Sequence, residues 1–192
     1  MHGIPPKKHL SDRVAEARSQ SSTVLCSYWR KPLTPVKTLA RREREQDERG
    51  MTDPRSVRGR ASGRQFDPHN AGGHIRQLAS ERVRITSRGV DVVERHVRRF
   101  GPDRANAVMS ERLRTIADER VEPTPVDRGF YTHELREYVR YRRLGYESGT
   151  PANPEAAHTL WNNAHTATLE DYRLPATPSA LYHPEAERYI PK

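Results

Sequence analysis

The chain has 192 residues, 34 Lys or Arg against 25 Asp or Glu, a net charge of +9 and a hydrophobic fraction of only 33%, which suits one domain carrying an unfolded extension. Cys26 is the single cysteine, so an intrachain disulfide and a cysteine-based zinc site are both excluded. No apolar run approaches the ~18–20 residues of a membrane span, and Met1-His-Gly-Ile-Pro-Pro-Lys-Lys8 has no apolar signal core, so the expectation is a soluble protein without a membrane span.

Charge is distributed unevenly. Residues 1–60 hold 14 Lys or Arg against 7 acidic residues, whereas residues 61–192 hold 20 against 18. The basic character therefore belongs to the N-terminal third, and a general inference to nucleic acid is discounted for the rest. Within 61–192, Arg outnumbers Lys by 19 to 1. That ratio fits planar forks for phosphate, and equally a coding sequence rich in G and C.

Residues 1–60 read as a largely disordered basic extension, broken by Pro5, Pro6, Pro32, Pro35 and Pro54 and poor in large apolar side chains. Within it, Pro35 to Arg49 could form a charged helix without an apolar face. Met51 sits where a second start could lie. Residues 61–192 read as an all-α single domain with at most a short strand near residues 83–85. Phe66-Asp-Pro-His-Asn-Ala-Gly-Gly73 is a turn-rich entry to a short element from His74 to Arg82.

Thr86 and Ser87 are placed to cap a helix with Val90, Val93, Val97 and Phe100 on one stripe. Asp103 caps the next, with Ala105, Val108, Met109, Leu113 and Ile116 inward. Pro123 and Pro125 mark a linker. A third helix runs from Val126 or Asp127 to Leu144 and stops at Gly145. Asn153 caps a fourth, with Pro154 at its first position, which ends before Pro175. The aromatic tail around Leu181 and Tyr182 is expected to dock on the body.

The chemistry-bearing residues fall on the last two long helices. At 100° per residue, His133, Glu137 and Arg140 share a stripe with Arg136 beside it, and Leu135 and Val139 lie opposite as the core face, near Tyr131 and Tyr138. Such a row supplies an acid/base, a group that fixes the imidazole, and a clamp for phosphate. It would also serve as an ion-pair network on a solvated face.

The fourth helix puts His158, Asn162, His165 and Leu169 on one stripe, with Asn163, Thr166 and Thr168 in the same two turns. These are mediocre helix formers, so packing or a site must hold them there. Glu170 and Asp171 oppose the helix dipole and should have specific partners. A metal site built from His133, His158, His165 and Glu134, Glu137 or Glu170 is a competitor, although no His-Glu-x-x-His signature is present. His69 and His74 are weak candidates, His96 reads as structural, and Cys26 is not expected to be a nucleophile.

The segments Ile85–His96, Phe130-Tyr-Thr-His-Glu-Leu-Arg-Glu137, Arg140–Gly145, Trp161–Tyr172 and Leu181-Tyr-His-Pro184 give residues 65–182 a resemblance to the C-terminal toxin domains of bacterial polymorphic and contact-dependent inhibition toxins. The resemblance implies a nuclease, often one acting on transfer RNA, with a cognate immunity protein as partner and action in the cytoplasm of a producer or target cell.

The expectation is an RNA-cleaving domain that needs no cofactor or metal. His133 and His165 would serve as general base and acid on opposite sides of one phosphate. Glu134 or Glu137 would fix the His133 tautomer, and Arg136 or Arg140 would stabilise the transition state. Tyr131, Asn162, Asn163 and Thr166 would hold substrate. The alternatives are a metal-dependent toxin hydrolase and a non-enzymatic helical module that binds nucleic acid or protein through its basic arm.

Overall fold

The structure, a computed structural model, describes residues 55–190. The expected extension, the charged helix at 35–49, Cys26 and Met51 lie outside these residues. Within them the architecture is predominantly helical, as expected. Four long helices are followed by two short ones: α1 (Ser87–Arg98), α2 (Arg104–Ala117), α3 (Pro125–Arg143), α4 (Pro154–Tyr172), α5 (Pro178–Leu181) and α6 (Pro184–Glu187). The pairing of β1 (Val57–Arg58) with β2 (Gln65–Phe66) is antiparallel, Val57 opposite Phe66.

Local chemistry sets the helix ends. Thr86 accepts from the Gly89 amide at the start of α1, and Asp103 accepts from Asn106 at the start of α2. Thr124 and Asp127 form a reciprocal capping box on α3, with Pro125 inside the helix rather than in a linker. Asn153 accepts from Glu155 and Ala156, ahead of Pro154. At the far end Arg173 takes a left-handed conformation, φ 56°, and the Leu174 amide reaches back to Leu169.

The apolar core joins Val90, Val93 and Val97 of α1 to Met109, Leu113 and Ile116 of α2 and Phe130 and Tyr131 of α3, with Leu169 from α4. The C-terminal tail closes it: Tyr182 is buried against Phe130 and donates to Asn106 at 2.9 Å. A smaller cluster of Phe66, Ala71 and Ala167 seats the hairpin on α4.

Three sequence expectations are refined. Of a brief strand or an extended connector at Val83–Ile85, the connector is what forms, and the strands lie in the hairpin, so ordered structure starts before residue 61. His74–Arg82 forms no regular element. It is a strap whose Arg76 and Leu78 amides donate to the side chain and backbone of Asp171. The third change concerns α3. Leu135 and Val139 are only half-buried, while the His133–Glu137–Arg140 stripe faces inward with none of the three more than 2% exposed. The wheel grouped these residues correctly, and both groups turn inward: Tyr131 and Tyr138 of the expected face are buried and Leu135 packs on the apolar core, while the polar stripe is buried as well.

Candidate metal centre and active site

His133 and Glu137 lie one turn apart on α3, and α4 crosses that turn with His165. Three atoms meet there. His133 Nε2 is 3.0 Å from Glu137 Oε2, His165 Nδ1 is 3.0 Å from the same oxygen, and the two nitrogens are 3.0 Å from each other. A fourth group comes from α1, where His96 is fully buried among the ring edges of Phe100, Tyr138 and Tyr141. Its Nε2 is 3.5 Å from Glu137 Oε1 and 3.7 Å from Glu134 Oε2. Those approaches are ion-pair distances without hydrogen-bond direction, so Glu137 Oε1 and both His96 nitrogens lack a hydrogen-bond partner.

Burial dominates the electrostatics. It would push the Glu137 carboxyl up, but hydrogen bonds from His133 and His165, with His96 close by, outweigh it and hold the group well below the usual carboxylate range. Glu134 goes the other way, raised well above that range by burial and then by the neighbouring Glu137 charge. Burial lowers His165 to about 4 despite its bond to Glu137, and lowers His96 as well. At neutral pH the centre thus pairs an ionised Glu137 with uncharged His96 and His165.

Protons satisfy the three-atom contact only in part. Each ring nitrogen carries at most one hydrogen. If both nitrogens donate to Oε2, the contact between them has no bridging hydrogen; if one donates to the other, a contact to Oε2 goes unmade or lone pair meets lone pair. Two imidazole nitrogens and a carboxylate oxygen, each 3.0 Å from the other two, would suit a divalent transition-metal ion. His133, Glu137 and His165 are also the group of possible metal ligands found among the described residues.

The other expected site residues serve different ends. Arg140 is fully buried and spends its guanidinium on Asp171 at 2.7 Å and on the carbonyls of Ala71, Gly73, His74 and Ala167. Arg136 pairs with Asp171 at 2.6 Å. Neither is a free clamp for phosphate, and both tie the strap to the helices. The Tyr131 hydroxyl meets Thr86 at the start of α1.

Asn162 donates to the Gln65 carbonyl and accepts from Arg64, while Asn163 accepts from the Asp67 amide. Thr166 is buried with its hydroxyl unpaired. His158 is exposed and lies beside Trp161, away from the three ligand atoms. Glu170 and Asp171 do have specific partners: Glu170 accepts from Arg60, Ala61 and Ser62, and Asp171 binds the strap and both arginines. The sequence reading missed His96, hidden in a valine stripe, and Arg64, which has no periodic context.

No protein-family model, curated protein or solved structure matches the chain. Function has to be argued from the chemistry of the centre itself. Among the described residues, no helix is long and apolar enough to cross a membrane.

Proposed function

We propose that the protein is a metal-dependent hydrolase of the toxin kind, with one divalent ion held by His133 Nε2, His165 Nδ1 and Glu137 Oε2 and with RNA as its substrate. The observation that carries this reading is the buried triangle of three possible ligand atoms, two imidazole nitrogens and a carboxylate oxygen, pairwise 3.0 Å apart. Two imidazoles and one carboxylate leave coordination positions open for a water and a phosphate oxygen. Held by these residues, a divalent ion would supply Lewis acidity for hydrolysis of a phosphodiester.

The two-histidine scheme expected from sequence fits this arrangement less well. A base and an acid on opposite sides of one phosphate need that phosphate between them, and nitrogens in direct contact leave no room for it. The buried histidines act as one unit on one side of the substrate. RNA is carried over from the toxin resemblance, and a cognate immunity protein would be the partner that covers the mouth of the centre.

The test is RNA cleavage by the purified full chain. Cutting is expected to stop in excess EDTA, to return with Mn²⁺, Co²⁺ or Zn²⁺, and to be absent in Glu137→Gln. Undiminished cutting in EDTA would overturn the metal and restore the histidine acid/base scheme. If the metal-loaded chain cuts no RNA, the substrate assignment fails.

A further inference from the structure

We propose that Arg64 is the anion receptor of this centre: the hairpin holds its guanidinium over Trp161, the ring that stacks on His165, to bind a phosphoryl oxygen of the substrate. The proposal rests on reading His133, Glu137 and His165 as the reaction centre.

Arg64 differs from the other arginines drawn into the body. Arg112 pairs with Asp127 through two nitrogens, Arg140 has Asp171 and four carbonyls, and Arg99 donates to the carbonyls of His96, Tyr146, Glu147 and Gly149. Arg64 has no carboxylate partner among the described residues. Its Nη2 donates to Asn162 Oδ1 at 2.7 Å, and its Nε, like that of Arg140, is buried with no acceptor, but Arg140 is balanced by the Asp171 carboxylate. A half-buried cation with unused donors forfeits hydration without compensation unless something binds it. Burial accordingly lowers its pKa, opposed by the attraction of Glu137.

Its position points to the centre. The guanidinium carbon lies 5.0 Å from the Trp161 ring centre, and that ring stacks on His165 at 5.1 Å with 20° between planes. The solvent edge of the centre is on this side: His165 and Trp161 keep 6% and 8% of their surface open, while His133 keeps none.

The fold spends much on holding Arg64 in place. A hairpin with two residues per strand has no stability of its own. Helix α4 supplies it: Glu170 accepts from the amides of Arg60 (2.9 Å), Ala61 (3.1 Å) and Ser62 (2.8 Å) and from the Ser62 hydroxyl (2.6 Å). Asn162 donates to the Gln65 carbonyl at 2.7 Å, and Asn163 accepts from Asp67 at 2.9 Å. Gly59 packs so closely on Ser62 and Glu170 that a Cβ would collide with both. These contacts explain the unusual Asn-Asn segment of α4 as a clasp for the loop carrying Arg64. A guanidinium with free donors next to a cation site matches a phosphodiester, whose two free oxygens can be shared between them.

The experiment titrates inorganic phosphate into the full chain, with and without one equivalent of Mn²⁺ or Zn²⁺, by calorimetry. Arg64→Met should weaken phosphate binding about tenfold or more, and Arg64→Lys should keep part of it. Metal stoichiometry and thermal stability should stay as in the parent. Glu170→Gln should also weaken phosphate binding, by loosening the clasp without removing the cation. Parent-like phosphate affinity in Arg64→Met, or no phosphate binding by the parent in either state, would overturn the proposal. A chain that binds no metal yet loses phosphate on Arg64→Met would sink the metal reading and leave the receptor standing.

Discussion

At the residue scale, the centre depends on the group behind its ligands as well as on the ligands. His96 touches the free oxygen side of Glu137, 3.5 Å from Oε1, and sits inside a ring of aromatic edges that fixes its plane. It is placed to orient the carboxylate and to keep its charge on Oε2. His96→Phe should preserve packing and lower metal affinity about 10–100-fold, as losses of such supporting partners do. Competition with a chelating dye measures this. Unchanged affinity would reduce His96 to a filler of the core. Nothing in the sequence pointed to this role, because His96 follows Val92 and Val93 and lies with Val97 on an apolar face. A histidine in that setting is indistinguishable from an ordinary buried one until its neighbours across the interface are known.

At the element scale, helix ends were the most legible feature. Thr86, Asp103, Asn153 and Pro154 act where the sequence put them, because capping is a local exchange between a side chain and the next few amides. The burial of the polar stripe of α3 was not legible. Its periodicity defines two stripes, but the polar one turns inward because of α1 and α4, which bring His96, His165 and Asp171 to meet it. The hairpin was invisible for a similar reason: two-residue strands have no period, and their contacts are with α4, about 100 residues away.

The start of α3 gives a stability test. Asp127 is fully buried, completes the capping box and pairs with Arg112 at 2.6 Å. Asp127→Ala should cost about 3 kcal/mol, combining a lost cap with a partly buried Arg112 left with only the distant Glu185 carboxylate at 3.9 Å. Burial would raise the Asp127 pKa, but bonds from Arg112 and Thr124 outweigh it and the net shift is downward. Its contribution is therefore full above the unfolded-state value of ~3.9 and disappears as pH falls through the lower folded-state value. Urea unfolding curves of parent and Asp127→Asn should differ most near pH 7 and converge in acid. A gap that persists below pH 2 would contradict the assignment.

At the scale of the whole molecule, a core that accommodates His96, His133, His165, Glu134 and Glu137 gives up apolar packing where α1, α3 and α4 meet. An ion binding the folded chain alone recovers stability by linkage, ~2.7 kcal/mol when free metal exceeds the dissociation constant a hundredfold. Thermal unfolding of the full chain should therefore move to higher temperature with added Mn²⁺ or Zn²⁺, while Glu137→Gln should respond little. Equal shifts in both proteins would mean that the ion binds elsewhere.

The adjacent residues Glu170 and Asp171 have a consequence for synthesis. One grips the turn at residues 60–62 and the other grips the strap at residues 76–78, so a single turn near the end of α4 anchors two segments from the earliest-made part of the described residues. The partners are separated by 95–110 residues of sequence. At ~5–20 residues per second, the early segment waits roughly 5–20 s for its anchor to appear. Until then Arg64 has nothing to lean on and His133 has no His165 to face. The centre is assembled last, by the part of the chain that arrives last, and a nascent chain interrupted before α4 contains its first half without its chemistry.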